Sequence, residues 1–177
     1  MRSLFPPSFW ALMVFHFLLL QHSSGDTQGL IRKICQGTDD FKYCVDVFNK
    51  NLYSPTLDIK GLCQIAITQT LSYATDTRIF ISRVKQEQKN TTTKNLLVIC
   101  EEGYGLLGGE FVDANLAFGR GDYRNMLFYE DKCDRFVSDC QFVIGSRVSN
   151  LDVMNARMRV LVRMSQVSGE LITGGRR

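Results

Sequence analysis

The two histidines of the sequence, His16 and His22, and its single tryptophan, Trp10, all fall within the first 25 residues. That stretch reads as a secretory leader. Arg2 supplies the charged start, Phe9 to Leu20 a largely apolar run, and Ser23, Ser24 and Gly25 the small residues for cleavage before Asp26. The run is shorter than the roughly 20 apolar residues a bilayer span requires, so no membrane anchor is expected. Once the leader is removed, residues 26–177 hold no imidazole. A Ser/His/Asp triad, a Cys/His pair and an HExxH zinc site are thereby excluded. Pro6 and Pro7 leave with the leader too, and Pro55 remains as the only proline, which points to a largely helical domain. A basic surface is also missing. The net charge is +3, the leader takes one arginine with it, and no Lys/Arg run exceeds Arg176-Arg177, so a nucleic-acid partner is not expected.

What is present is helical periodicity. In 58–86 the apolar or small positions 59, 62, 66, 70, 73, 77, 80 and 84 recur at threes and fours, with Asp58 placed to cap the start. In 93–118 the series Leu97, Cys100, Tyr104, Leu107, Phe111, Ala114, Phe118 alternates without a miss, the pattern of a bundle seam. A third helix is expected over 122–144 (Met126, Tyr129, Cys133, Val137, Cys140, Ile144) and a fourth over 150–168 (Leu151, Met154, Met158, Leu161). The polar breaks at 89–93, 119–122 and 145–150 are short enough to make consecutive helices antiparallel neighbours. The fold class is therefore all-α: one domain over 26–177, an up-down four-helix bundle preceded by a helical N-terminal piece.

Gly103-Tyr104-Gly105-Leu106-Leu107-Gly108 fits the spacing of a dinucleotide-binding loop, but that loop needs a strand before it and a βαβ unit around it. The period here is helical on both sides, so no cofactor is expected. Four glycines (103, 105, 108, 109) cost a helix about 1 kcal/mol each relative to alanine unless they admit a close neighbour. That helix should be the softest part of the bundle.

All six cysteines lie after the leader, and export favours bridges. Cys133 and Cys140, seven apart on one helix, stand about 10 Å apart and cannot pair. Cys35 and Cys44 can pair if Gly37 to Asp40 turns the chain into a hairpin, and those residues are turn formers. Folding the second and third long helices about Arg120 sets Cys100 opposite Cys140. The same construction puts Cys63 near Ala117 and about 15 Å along the axis from Cys133, leaving both as free thiols.

Asn90-Thr91-Thr92 is an N-glycosylation acceptor in a polar turn. Arg120-Gly121-Asp122 spells an adhesion tripeptide, but Asp122 is better read as the N-cap of the next helix. Glu101 and Glu102 diverge by about 100° around a helix and cannot flank one glycosidic bond.

The order Ile34-Cys35-Gln36-Gly37-Thr38, Cys44, Asp58-Ile59-Lys60-Gly61-Leu62, Cys100-Glu101-Glu102-Gly103-Tyr104, Gly121-Asp122-Tyr123 and Cys140 resembles the plant invertase and pectin methylesterase inhibitor family over nearly the whole mature chain. The resemblance implies an N-terminal helical hairpin on a four-helix bundle, bridges Cys35–Cys44 and Cys100–Cys140, and a monomeric extracellular or cell-wall inhibitor with no catalytic, cofactor or metal residues. Its partner would be a carbohydrate-acting enzyme. Invertase inhibitors carry Pro-Lys-Phe after Gly-Asp; here Tyr123, Arg124 and Asn125 follow, which is closer to the pectin methylesterase branch. Glu102 fits that branch's Cys-x-Glu-x-Tyr pattern, so Glu102, Tyr123, Arg124 and Asn125 are the expected partner contacts. The branch's Thr-Cys-Glu-Asp has become Asp139-Cys140-Gln141-Phe142. Acid invertase is the alternative target, and a helical receptor ligand or a hydrophobic-ligand carrier are the readings from other classes.

Overall fold

The computed structural model describes residues 26–175, and all of their regular structure is helical. The expected leader lies outside the described residues. Two short helices, α1 (Thr27–Cys35) and α2 (Phe41–Asn51), form the N-terminal hairpin. Asp26 and Asp40 cap them by accepting from the backbone amides of Gly29 (2.7 Å) and Tyr43 (2.9 Å). The Thr27 hydroxyl donates to the Leu57 carbonyl (3.0 Å) and accepts from the Leu57 amide (2.9 Å), pinning the hairpin to the segment that enters the bundle.

The bundle begins with α3 (Ile59–Glu87), capped by Asp58 through the Gly61 amide at 2.8 Å, and α4 (Thr91–Gly119), capped by Asn90. The seam expected on α4 is buried residue for residue from Leu97 to Ala114. On α3 the buried face is wider than one seam. Cys63, Ile67, Ala74 and Ile81 enter the bundle core, while Leu62, Ile65 and Ala66 join Ile31, Ile34, Val47 and Phe48 in a second core beneath the hairpin. The last helix, α7 (Leu151–Thr173), explains the doubling: it runs between bundle and hairpin and is buried on nearly every side from Val160 to Gly169. Gly169 permits this, because a Cβ there would stand 2.3 Å from Met126 Cε and 2.8 Å from Leu127 Cδ2.

The single helix expected over 122–144 is instead two, α5 (Tyr123–Glu130) and α6 (Cys133–Ile144), parted by a turn at Asp131-Lys132. The apolar period runs through the break unchanged, so its cause is tertiary. Gln166 Nε2 on α7 donates to the Glu130 carbonyl (3.4 Å), giving that oxygen a partner outside its helix, and Lys132 pairs with Glu110 of α4 at 2.8 Å. At the preceding corner Gly121 adopts φ +73°, and Asp122 caps α5 through the Asn125 amide, the structural role expected of it.

Both bridges join the pairs reached from the turn geometry: Cys35–Cys44 with Cα atoms 5.5 Å apart, and Cys100–Cys140 at 4.6 Å, tying α4 to α6. Cys63 and Cys133 are free and buried. Cys63 Sγ lies 3.9 Å from Met126 Sδ, near the level that the reflection gave it.

Candidate interaction surface

The helices leave two long grooves on opposite sides of α4. One, about 520 Å³, lies against α3 and is floored by Gly105, Gly108 and Gly109, with Arg78 reaching across Gly105. The other, about 600 Å³, lies against α6 and is lined by Ile99, Glu102, Leu106, Lys132, Arg135 and Asp139 among others. Gly103 makes the second possible, since a Cβ there would come within 3.3 Å of the Phe136 carbonyl oxygen. The helical divergence of Glu101 and Glu102 thus sends two adjacent carboxylates into different grooves. Glu101 pairs with Lys85 of α3, and that bond holds its carboxyl below the usual carboxylate range. Glu102 is exposed and has no ion-pair or hydrogen-bond partner among the described residues.

The α4–α6 groove has a defined charge order. Lys132 is held by Glu110 and stacks over the Phe128 ring at 4.5 Å, and Arg135 pairs with Asp139 at 3.6 Å. Those cations are engaged, and Glu102 lines the same groove without a partner among the described residues. Apolar surface flanks it. Leu106 is 57 % exposed, and Phe142, one turn beyond Asp139, is 89 % exposed. A phenyl ring that open contributes nothing to the fold, yet burying it against a partner is worth about 1.5–3 kcal/mol.

The other expected contacts sit elsewhere. Tyr123 and Arg124 line a separate hollow at the end of the bundle, with Gly121 and Ile172. Tyr123 is half-buried edge-on against Phe118 (5.8 Å), with Lys60 over its ring at 5.6 Å. Asn125 points back to its own cap, donating from Nδ2 to Asp122 Oδ2 at 2.6 Å. Of this trio Arg124 alone is exposed without a partner among the described residues. Asn90 is exposed; its Oδ1 accepts from the Thr93 amide (2.9 Å), which leaves Nδ2, the atom a glycan would modify, outside the cap.

The altered segment after Asp139 divides between inside and outside. Gln141 turns inward: Asn155 of α7, fully buried, donates to its Oε1 (2.8 Å) and accepts from the Tyr104 hydroxyl (2.8 Å). Desolvation in this network pushes the Tyr104 phenol far above its ordinary value. Phe142 turns outward. Phe142, Leu106 and Ile99, all exposed, were not among the residues expected at the surface site, although their signal was available: apolar residues out of phase with the seam period.

The model of the family described as plant invertase/pectin methylesterase inhibitor matches residues 29–167. The chain belongs to this family. Among its relatives, "Cell wall / vacuolar inhibitor of fructosidase 2" of Arabidopsis thaliana is 30% identical over 95 residues, about half (53%) of each chain. The helical arrangement is similar to that of two solved structures of pectin methylesterase inhibitors from Arabidopsis. A mutant form superposes with a TM-score of 0.71 over 80% of this chain and 95% of its own, and another with 0.62 over 82% and 97%, both at 17% identity. The family's name is that of proteins that restrain enzymes.

Proposed function

We propose that the chain is an extracellular inhibitor of pectin methylesterase that acts as a monomer and occludes the enzyme's substrate cleft with its α4–α6 face. The observation that carries this reading is the groove itself, in a member of an inhibitor family. A partnerless Glu102 lines it with exposed Leu106, and exposed Phe142 follows one turn after the groove residue Asp139, on two helices cross-linked by Cys100–Cys140. A surface fixed in that way loses little conformational freedom on docking. Gly121-Asp122-Tyr123 favours the pectin methylesterase branch over invertase. Invertase is the second reading, because the 30%-identical relative is named for inhibition of a fructosidase.

Binding of the bridged mature chain to immobilised pectin methylesterase tests the proposed face. Phe142→Ala should weaken binding about tenfold, the equivalent of about 1.4 kcal/mol, and Glu102→Lys should weaken it comparably. Both should leave the helical signal unchanged. Arg124→Ala, in the other hollow, should have the smaller effect. Equal affinity of wild type, Phe142→Ala and Glu102→Lys would move the docking face elsewhere.

A further inference from the structure

Glu130 closes α5, and its side chain is wholly shielded from solvent. One carboxyl oxygen accepts from the Ser165 hydroxyl of α7 at 2.5 Å, while the other has no hydrogen-bond partner. Its surroundings offer no compensating charge. Cys63 faces it from α3 and Cys133 from α6, Asp131 follows it in the turn, Asp134 lies beyond on α6, and Glu170 approaches from α7. Gln166 of α7 donates to the Glu130 backbone carbonyl and to Asp134. The nearby cations are engaged, Lys132 with Glu110 of α4 and Arg163 with Glu170. An anion so placed would be buried without a counter-charge, whereas the neutral acid leaves only one uncharged hydroxyl, on the oxygen turned away from Ser165, without a partner.

We propose that Glu130 is a proton-held latch: as the neutral acid it seals the α5–α6 junction against α7, and its ionisation as the pH rises loosens that junction. The device depends on where the residue sits. Glu130 stands at the interruption of two helices, above the close α5–α7 approach that Gly169 permits, and immediately before Asp131 and Lys132, which line the α4–α6 groove. Loosening the junction would therefore disturb one wall of that groove. This consequence for binding rests on the proposed docking face; the latch does not.

The sign follows from proton uptake. Burial raises the Glu130 carboxyl to about 8, from an ordinary 4.5 in the unfolded chain. Between those values the folded state holds a proton that the unfolded state has lost, so the folding equilibrium constant falls up to tenfold for each unit of rising pH. Residues 26–177 contain no histidine, and Cys63 and Cys133 are shifted upward, away from the neutral range. Asp134, which burial also raises above its ordinary value, is the neighbour whose contribution has to be separated.

The test is thermal unfolding of the mature bridged chain, without any target enzyme, from pH 5.5 to 7.5. The wild type should lose about 5–10 °C over that range, on the scale of about 2–4 °C per kcal/mol for a domain of this size. Glu130→Gln, which cannot ionise, should flatten the profile, and Asp134→Asn should leave most of the slope. A Glu130→Gln profile as steep as wild type overturns the proposal. Should that variant not fold, carbon-13 NMR of the wild-type Glu130 carboxyl decides. A midpoint between 7 and 9 supports the latch, and one between 4 and 5 overturns it.

Discussion

Tyr104, Asn155 and Gln141 form a buried relay from α4 through α7 to α6 that fixes the register of three helices with two hydrogen bonds. Tyr104→Phe would leave Asn155 Oδ1 buried without a donor, and an orphaned buried acceptor costs about 1–3 kcal/mol. Urea unfolding should show a loss of that size for Tyr104→Phe and for Asn155→Leu. The double variant should lose less than the sum of the two, because each single change already breaks the same bond. An additive result would mean that the relay is not coupled. At this scale the sequence was partly legible. The seam period placed Tyr104 inside, and the caps Asp58 and Asp122 could be read from residue type alone. The inward turn of Gln141 could not, because its partner lies fourteen residues away on another helix.

At the scale of elements, the bridge spanning 40 residues should matter more than the one spanning 9. Loop-closure entropy gives about 4 kcal/mol against about 2.6 kcal/mol. The paired change Cys100→Ala with Cys140→Ala should therefore lower the melting temperature more than Cys35→Ala with Cys44→Ala, while thiol titration of the unfolded wild type returns two free sulfhydryls. The glycine run of α4 separates into two kinds. Gly103 abuts the Phe136 carbonyl, whereas a Cβ at Gly108 or Gly109 meets nothing within 4 Å. Gly108→Ala and Gly109→Ala should each raise stability by about 0.5–1 kcal/mol in chemical denaturation, and Gly103→Ala should not. Before those changes, amides in 103–109 should exchange faster than those of the neighbouring helices. Antiparallel order and most helix limits were legible because turns and period agreed, although α7 runs on to Thr173, past the end expected at 168. The break at Asp131-Lys132 was not, since no glycine or proline marks it and the groups responsible, Gln166 and Glu110, come from α7 and α4.

At the scale of the whole molecule, residues 26–175 form a doubly bridged body whose outward-facing groups remain available. Asn90, the expected glycan acceptor, is one of them. When the protein is made in a eukaryotic secretory pathway, Asn90 should carry a glycan, and Asn90→Asp should abolish the mass increment. Because aspartate caps a helix as well as asparagine, melting temperatures compared on deglycosylated wild type should barely change. Thr92→Ala, which removes the acceptor pattern without touching the cap, should likewise abolish the glycan increment. The inhibitory role is the larger claim, and titration of pectin methylesterase activity with the purified, bridged mature chain at mildly acidic pH tests it most directly. Activity should fall to a low plateau near one inhibitor per enzyme, and at enzyme concentrations well below the dissociation constant Phe142→Ala should need about tenfold more protein for half-inhibition. Undiminished activity across a panel of pectin methylesterases at excess inhibitor, with the bridges verified, would contradict it.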